Sequence, residues 1–367
     1  MTQPSKKRLN YVDMVKGIAI LIIILYHLAA PGSYRSFLDH TMESMLLLFF
    51  FFSGFFYRPG KKTFAENVKS RAKALLIPFF AYSLVFWAVG TVYLLASDQA
   101  PLSETLACLR NFYGGCIWNR TIQSWFGWEY YSLGKRYLFL ADFWFLLSLL
   151  FAGILFFAIA DRVLKSAGKT LAAAGILAAM TAVLRSFAVA LPYNLQLVPF
   201  WAALLLLGAF AGQYRLFEPK KLSGAREWIA AVAALAAGIA LDLLKTPNNN
   251  LFRGSFEPVE AVNLLLSLTA ALLTGWGLGE LCRLAELSGL RVKELAWIGS
   301  HSLTFFIYHM FYGWIVSLLT GIPILYRETA DTAAVWKSLL LSAVVIVLCA
   351  VTALVSDRIR AGIKSRK

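Results

Sequence analysis

Two histidines set deep in apolar runs carry most of the chemistry that can be read from this chain. The first is His27, which closes the run Ile18–Tyr26 just before a stop at Pro31. Its lead-in holds Arg8, Asp13, Lys16 and Gly17, and no polar side chain other than the Tyr26 phenol falls between Gly17 and His27. Eleven steps separate Lys16 from His27. On a helix they rise about 16 Å, half of a hydrocarbon core about 30 Å thick. An ionisable group at that depth is costly to keep and marks a functional site by default. The other reading is a histidine hydrogen-bonded inside a helix bundle. His309, after Tyr308, lies about thirteen residues into the ninth apolar stretch, again near mid-depth. His301, near the start of that stretch, reads as a capping or interfacial residue.

A third set of polar residues is the basic segment Arg58–Lys73, where Lys61, Lys62, Lys69, Arg71 and Lys73 alternate with Phe64 and Val68. This pattern reads as an interfacial amphipathic helix. Its basic face suits lipid head groups or the phosphates of a cytoplasmic cofactor, and residue types alone favour the lipid.

These groups need a frame, and composition supplies it. Of 367 residues 59% are hydrophobic and only 15% charged, with a mean hydropathy of +0.66. Soluble domains average about 25% charged, so the chain is an all-α integral membrane protein. Ten apolar stretches can be marked, at 16–30, 44–57, 75–96, 138–160, 170–187, 195–213, 228–244, 260–280, 296–320 and 334–356. The first two are short for a full span. With both termini cytoplasmic, the inner segments hold 24 of the 35 Lys and Arg, as the positive-inside rule requires. The net charge of +15 is therefore punctuation between spans and contact with anionic lipid, not a nucleic-acid surface. The basic flank and short first run resemble a signal peptide, but no Ala-x-Ala site follows, and the run reads as a retained anchor.

The second run, Met45–Tyr57, is rich in phenylalanine, and Gly54 offers a place for close helix approach. The polar segment 97–137 is expected outside. It carries Trp118, Trp125, Phe126, Trp128, Tyr130 and Tyr131, suited to sugar stacking or to the membrane interface. Cys108 and Cys116 lie there and would pair in an oxidising compartment. Asn119-Arg120-Thr121 is a glycosylation sequon in a eukaryotic secretory pathway. The four cysteines lack metal-type spacing, so no metal is expected, and no Walker A or Gly-rich nucleotide loop is present.

Four places together resemble acyltransferase family 3, ten-helix membrane proteins that move acyl groups, mostly acetyl, to extracytoplasmic or membrane-associated acceptors. They are Asp13-Met-Val-Lys16-Gly17 with the Lys16-x10-His27 spacing; Phe49 to Tyr57 with the basic segment that runs to Leu76-Ile77-Pro78-Phe79; Trp144-Phe145-Leu146; and Ile298 to Leu303 continuing to Tyr308-His309. Two departures stand out. Related sugar acetylases carry His-Met-Pro before the Phe-rich run, where this chain has Glu43-Ser-Met-Leu, and Ala74 occupies the place of a second arginine beside Arg71. The resemblance implies a single membrane domain over 1–367 with no esterase-like domain after it, in the inner (plasma) membrane. It implies acetyl transfer from cytoplasmic acetyl-CoA to a glycan or lipid-linked sugar, with membrane lipids as the other partners. His27 would be the general base or, in a variant, the carrier of the acetyl group; His309 and Asp13 complete the candidate catalytic set. Lys16, Arg71, Lys69 and Lys73 would hold the donor's phosphates, unless Asp13 serves to hold Lys16. A ten-helix transporter or flippase, with His27 and His309 lining a polar pathway, is the alternative.

Overall fold

The computed structural model describes residues 10–28, 30–113, 140, 143–186, 191–217, 224–245, 259–290, 292–322, 328–329 and 332–364. The expectations at Cys116, at the sequon and at the aromatics of 118–131 fall outside these residues. What is described is a helix bundle: α1 (Asn10–His27), α2 (Gly32–Phe55), α3 (Phe64–Ala96), α4 (Leu102–Tyr113), α5 (Trp144–Val163), α6 (Ala167–Ser186), α7 (Val198–Gln213), α8 (Ala225–Leu243), α9 (Val259–Leu287), α10 (Lys293–Ser300), α11 (Ser302–Thr320) and α12 (Thr332–Lys364). A 3₁₀ turn, Pro192–Leu197, leads into α7. The extended pairing among the described residues is two residues long, with Ala30 beside Glu328 and Pro31 beside Thr329 in parallel register.

Among the described residues, eight helices are long and apolar enough to cross a membrane. The other two apolar stretches are also helical. In α2 the apolar part is the shorter His40–Phe55, and α8 carries Arg226, Glu227 and Asp242 at its ends. Large apolar side chains such as Val92, Ile176 and Leu340 are exposed on α3, α6 and α12. A bundle faced this way needs lipid around it.

α1 is central. It packs on α2, α9, α10 and α11, and 67% of its apolar window is buried, against 22% for α6 and for α12. Its seam with α10 is backbone on backbone. A Cβ on Gly17 would collide with the Leu295 carbonyl, and one on Gly299 with the Asp13 carbonyl, so both glycines are what allow this approach. Gly54 performs the same service for α2 against the Leu205 backbone of α7, as its sequence context suggested. Tyr11 at the start of α1 and Phe55 at the end of α2 both meet Phe217, with ring centroids 6.4 and 5.7 Å away. The two helices therefore run antiparallel.

Three boundaries differ from the sequence reading. The basic segment and the third stretch form one 33-residue helix, α3, opened by a capping box in which Thr63 and Glu66 exchange hydrogen bonds. Pro78 lies inside it; it costs the Ala74 carbonyl one donor, a loss that neighbouring helices offset in membrane bundles. The ninth stretch breaks at His301 into α10 and α11. The 97–137 segment begins with a helix, α4, where the Trp87 indole N–H donates to the Thr105 carbonyl at 2.9 Å.

Candidate active site

His27 is the last residue of α1, and Pro31, which has no N–H to continue the ladder, sits in the extended pairing just beyond. The ring is buried, at 7% exposure, with Tyr26 edge-on at 4.9 Å. His309 sits midway along α11 and is wholly buried. The two imidazoles meet. His309 Nε2 lies 3.1 Å from His27 Nδ1, and the ring centroids are 5.2 Å apart at 38°.

The backbone of α11 decides the tautomers. His309 Nδ1 faces the carbonyls of Phe306 at 2.8 Å and Phe305 at 3.2 Å. A carbonyl only accepts, so Nδ1 carries the proton and Nε2 is the acceptor of a neutral His309. His27 then donates its Nδ1–H to His309 Nε2, which places the lone pair of the neutral His27 ring on Nε2. The arrangement is a base whose far nitrogen is held by a second base, itself anchored to a helix carbonyl.

Asp13 is not part of this contact. It lies fourteen positions before His27 on the same helix, about 21 Å away along the axis. Its carboxylate is 3.9 Å from the Lys16 ammonium, which also stands over the Phe56 ring at 5.7 Å. Asp13 thus holds Lys16 and cannot touch a group reacting at His27.

Of the three basic residues on α3, Arg71 differs from the others. Lys69 and Lys73 are exposed, while Arg71 is half-buried. A Cβ on Gly153 of α5 would stand 3.6 Å from its Nε. The guanidinium stem is therefore tucked into the α3–α5 seam.

His301 sits at the α10–α11 junction, as a capping residue should. Its Nδ1 is 2.9 Å from the Trp297 carbonyl and from Ser300 Oγ, and its Nε2 is 2.8 Å from Asp357 of α12. Beside it a cavity of about 280 Å³ opens between the starts of α1 and α10 and the end of α9. Asn10, Asp13, Glu286, Lys293, Trp297 and Ser300 contribute its polar and aromatic lining.

A charged cluster between α2 and the end of α8 escaped the sequence reading, as did the pairing of Arg283 with Glu280 and Glu227. Lys245 Nζ lies 2.5 Å from Asp242 and 3.7 Å from Glu43, and all three side chains are at least nine-tenths buried. The Asp242–Lys245 spacing of i,i+3 was a legible signal; the partner on α2 was not.

A family model described as an acyltransferase domain matches residues 9–354. Neither the curated proteins nor the solved structures compared with the chain gave a match.

Proposed function

The chain belongs to acyltransferase family 3, and on that premise we propose that it moves an acetyl group from cytoplasmic acetyl-CoA to a hydroxyl of a cell-envelope glycan or lipid-linked sugar. The observation that carries this reading is the 3.1 Å contact between His27 and His309. The basic-residue asymmetry supports a ten-crossing topology with both termini cytoplasmic, and the inner membrane is the location that the family resemblance implies. It puts the start of α1 on the side where the donor is made.

The donor, when bound, supplies an acyl carbon activated by a thiol leaving group. His27 Nε2 takes the proton of the acceptor hydroxyl as that oxygen attacks. The resulting imidazolium donates through Nδ1–H to His309 Nε2, a bond strengthened by the charge. His309 in turn leans on the Phe306 carbonyl, so the positive charge is shared without moving a heavy atom. His27 then returns the proton to the departing thiolate, and the cycle closes with the pair neutral. In the two-step variant, the same Nε2 is the nucleophile. Lys16, held by Asp13, and the inward Arg71 are the cations placed to meet donor phosphates; Lys69 and Lys73, exposed on α3, suit lipid head groups.

A transporter reading draws support from the Glu43–Asp242–Lys245 cluster at the end of α8, because charges buried within a membrane bundle mark ion and substrate pathways. Proteoliposomes loaded with acceptor-bearing envelope lipid and supplied with radiolabelled acetyl-CoA separate the two. The enzyme reading requires label in ester linkage on lipid or glycan. Flux of a solute with no acyl product would replace it by the transporter.

A further inference from the structure

We propose that the cavity between the starts of α1 and α10 is the adenine slot of the acyl donor. This rests on the acetyl-CoA reading above and names where the nucleotide end is held. The lining fits an uncharged, flat, amine-bearing ring better than a phosphate. Asp13 and Glu286 put two carboxylates at the cavity, which oppose a phosphate inside it but accept hydrogen bonds from an exocyclic amine. Asn10 offers its amide for the ring nitrogens and Trp297 offers an indole face, while the Ser300 hydroxyl, which lines the cavity, already donates to the Trp297 carbonyl at 2.7 Å.

The walls are fixed in advance. Glu286 accepts from the Asn10 amide at 3.3 Å and from the Tyr11 backbone N–H at 3.2 Å, tying α1 to α9. The Trp297 indole is packed against the His301 ring, 4.6 Å between centroids. His301 is held in turn by Asp357. A stacking surface anchored by three helices loses little freedom on binding.

Position supports the same occupant. Asp13 stands about 21 Å along α1 from His27, a span of the order of the arm that separates the nucleotide of coenzyme A from its thioester. Lys16 lies one turn beyond Asp13 in the direction of His27 and Lys293 lines the cavity. Those cations are where phosphates attached to a base in the slot need them.

The test uses the full chain in nanodiscs. Isothermal titration with adenosine 3′,5′-bisphosphate reads the slot without turnover, and acetyl-CoA is compared with acetyl-pantetheine, which lacks the nucleotide. Trp297→Leu removes the stacking face, and Ala296→Phe fills the cavity from α10. Each should weaken adenosine bisphosphate binding about tenfold or more and raise the KM for acetyl-CoA in step, while leaving acetyl-pantetheine kinetics unchanged. The inosine analogue, with a carbonyl in place of the amine, should compete poorly against wild type. Unchanged binding in both variants, equal losses with both donors, or equal competition by the inosine analogue would each overturn the slot. Tight nucleotide binding without any acyl transfer would leave the slot standing and remove the transferase reading instead.

Discussion

His27 and His309 are 282 positions apart in sequence, yet Nδ1 of one lies 3.1 Å from Nε2 of the other. That contact joins the end of α1 to the middle of α11, and the α11 carbonyls of Phe305 and Phe306 fix which nitrogen donates. A mid-helix backbone anchor makes His309 a positioning residue for His27, with a defined acceptor duty.

His309→Ala should therefore lower kcat about tenfold or more and leave the donor KM near its wild-type value, since the lost partner acts on the base and not on donor binding. His309→Gln restores an acceptor oxygen for His27 Nδ1–H and should recover part of the rate. Steady-state kinetics on both variants, with melting temperatures, checks this. Equal rates for Ala and Gln would make the contact one of packing alone.

Arg71 is the cation on α3 expected to matter for the donor. Arg71→Ala should raise the apparent KM for acetyl-CoA several-fold and flatten its salt dependence, whereas Lys69→Ala and Lys73→Ala should each change it less than twofold. An unchanged KM in the Arg71 variant would leave this residue to the α3–α5 seam, where Gly153 already receives it.

Topology can be read from the two ends of α3. Lys61 and Asp98 are exposed and lie beyond opposite ends of that helix. In intact cells a membrane-impermeant maleimide should label Asp98→Cys at once and Lys61→Cys only after permeabilisation. The background is low at the nearest native thiol, because Cys108 is buried and its desolvation, with Glu104 nearby, pushes it up to about 12. Labelling in the reverse order would invert the bundle.

The sequence exposed the site in part. His27 and His309 were legible because each is an ionisable group in an apolar run, and depth follows from counting residues. That the two lie together was legible from their matching depth on separate helices, and their ring centroids are 5.2 Å apart; which nitrogens meet was not, because helix rotation and pairing depend on backbone seams such as Gly17–Leu295 and Gly299–Asp13. Asp13 belongs with Lys16 and not with the imidazoles for the plain reason that it lies one turn from Lys16 and about 21 Å from His27 on the same helix. The break at His301 was hidden in a continuous apolar stretch; it is made by a ring that binds the Trp297 carbonyl, Ser300 and Asp357 together. The continuity of α3 across 73–75 was hidden because the chain changes there from basic to apolar, which reads as two elements, although one helix runs through both and through Pro78. The Glu43–Asp242–Lys245 cluster needed two distant stretches to be seen side by side.

The central claim is that His27 takes the acceptor's proton, and the most direct test measures acetyl transfer and melting temperature on the same purified His27→Ala and His27→Gln proteins. A lost general base usually costs about 10²–10⁴-fold in rate. Both variants should insert, fold and melt close to wild type while transfer falls by that factor, with Gln nearly as inactive as Ala because it cannot take up the proton. A His27→Ala protein that is well folded and fully active, or a His27→Gln protein that recovers both stability and rate, would contradict the account.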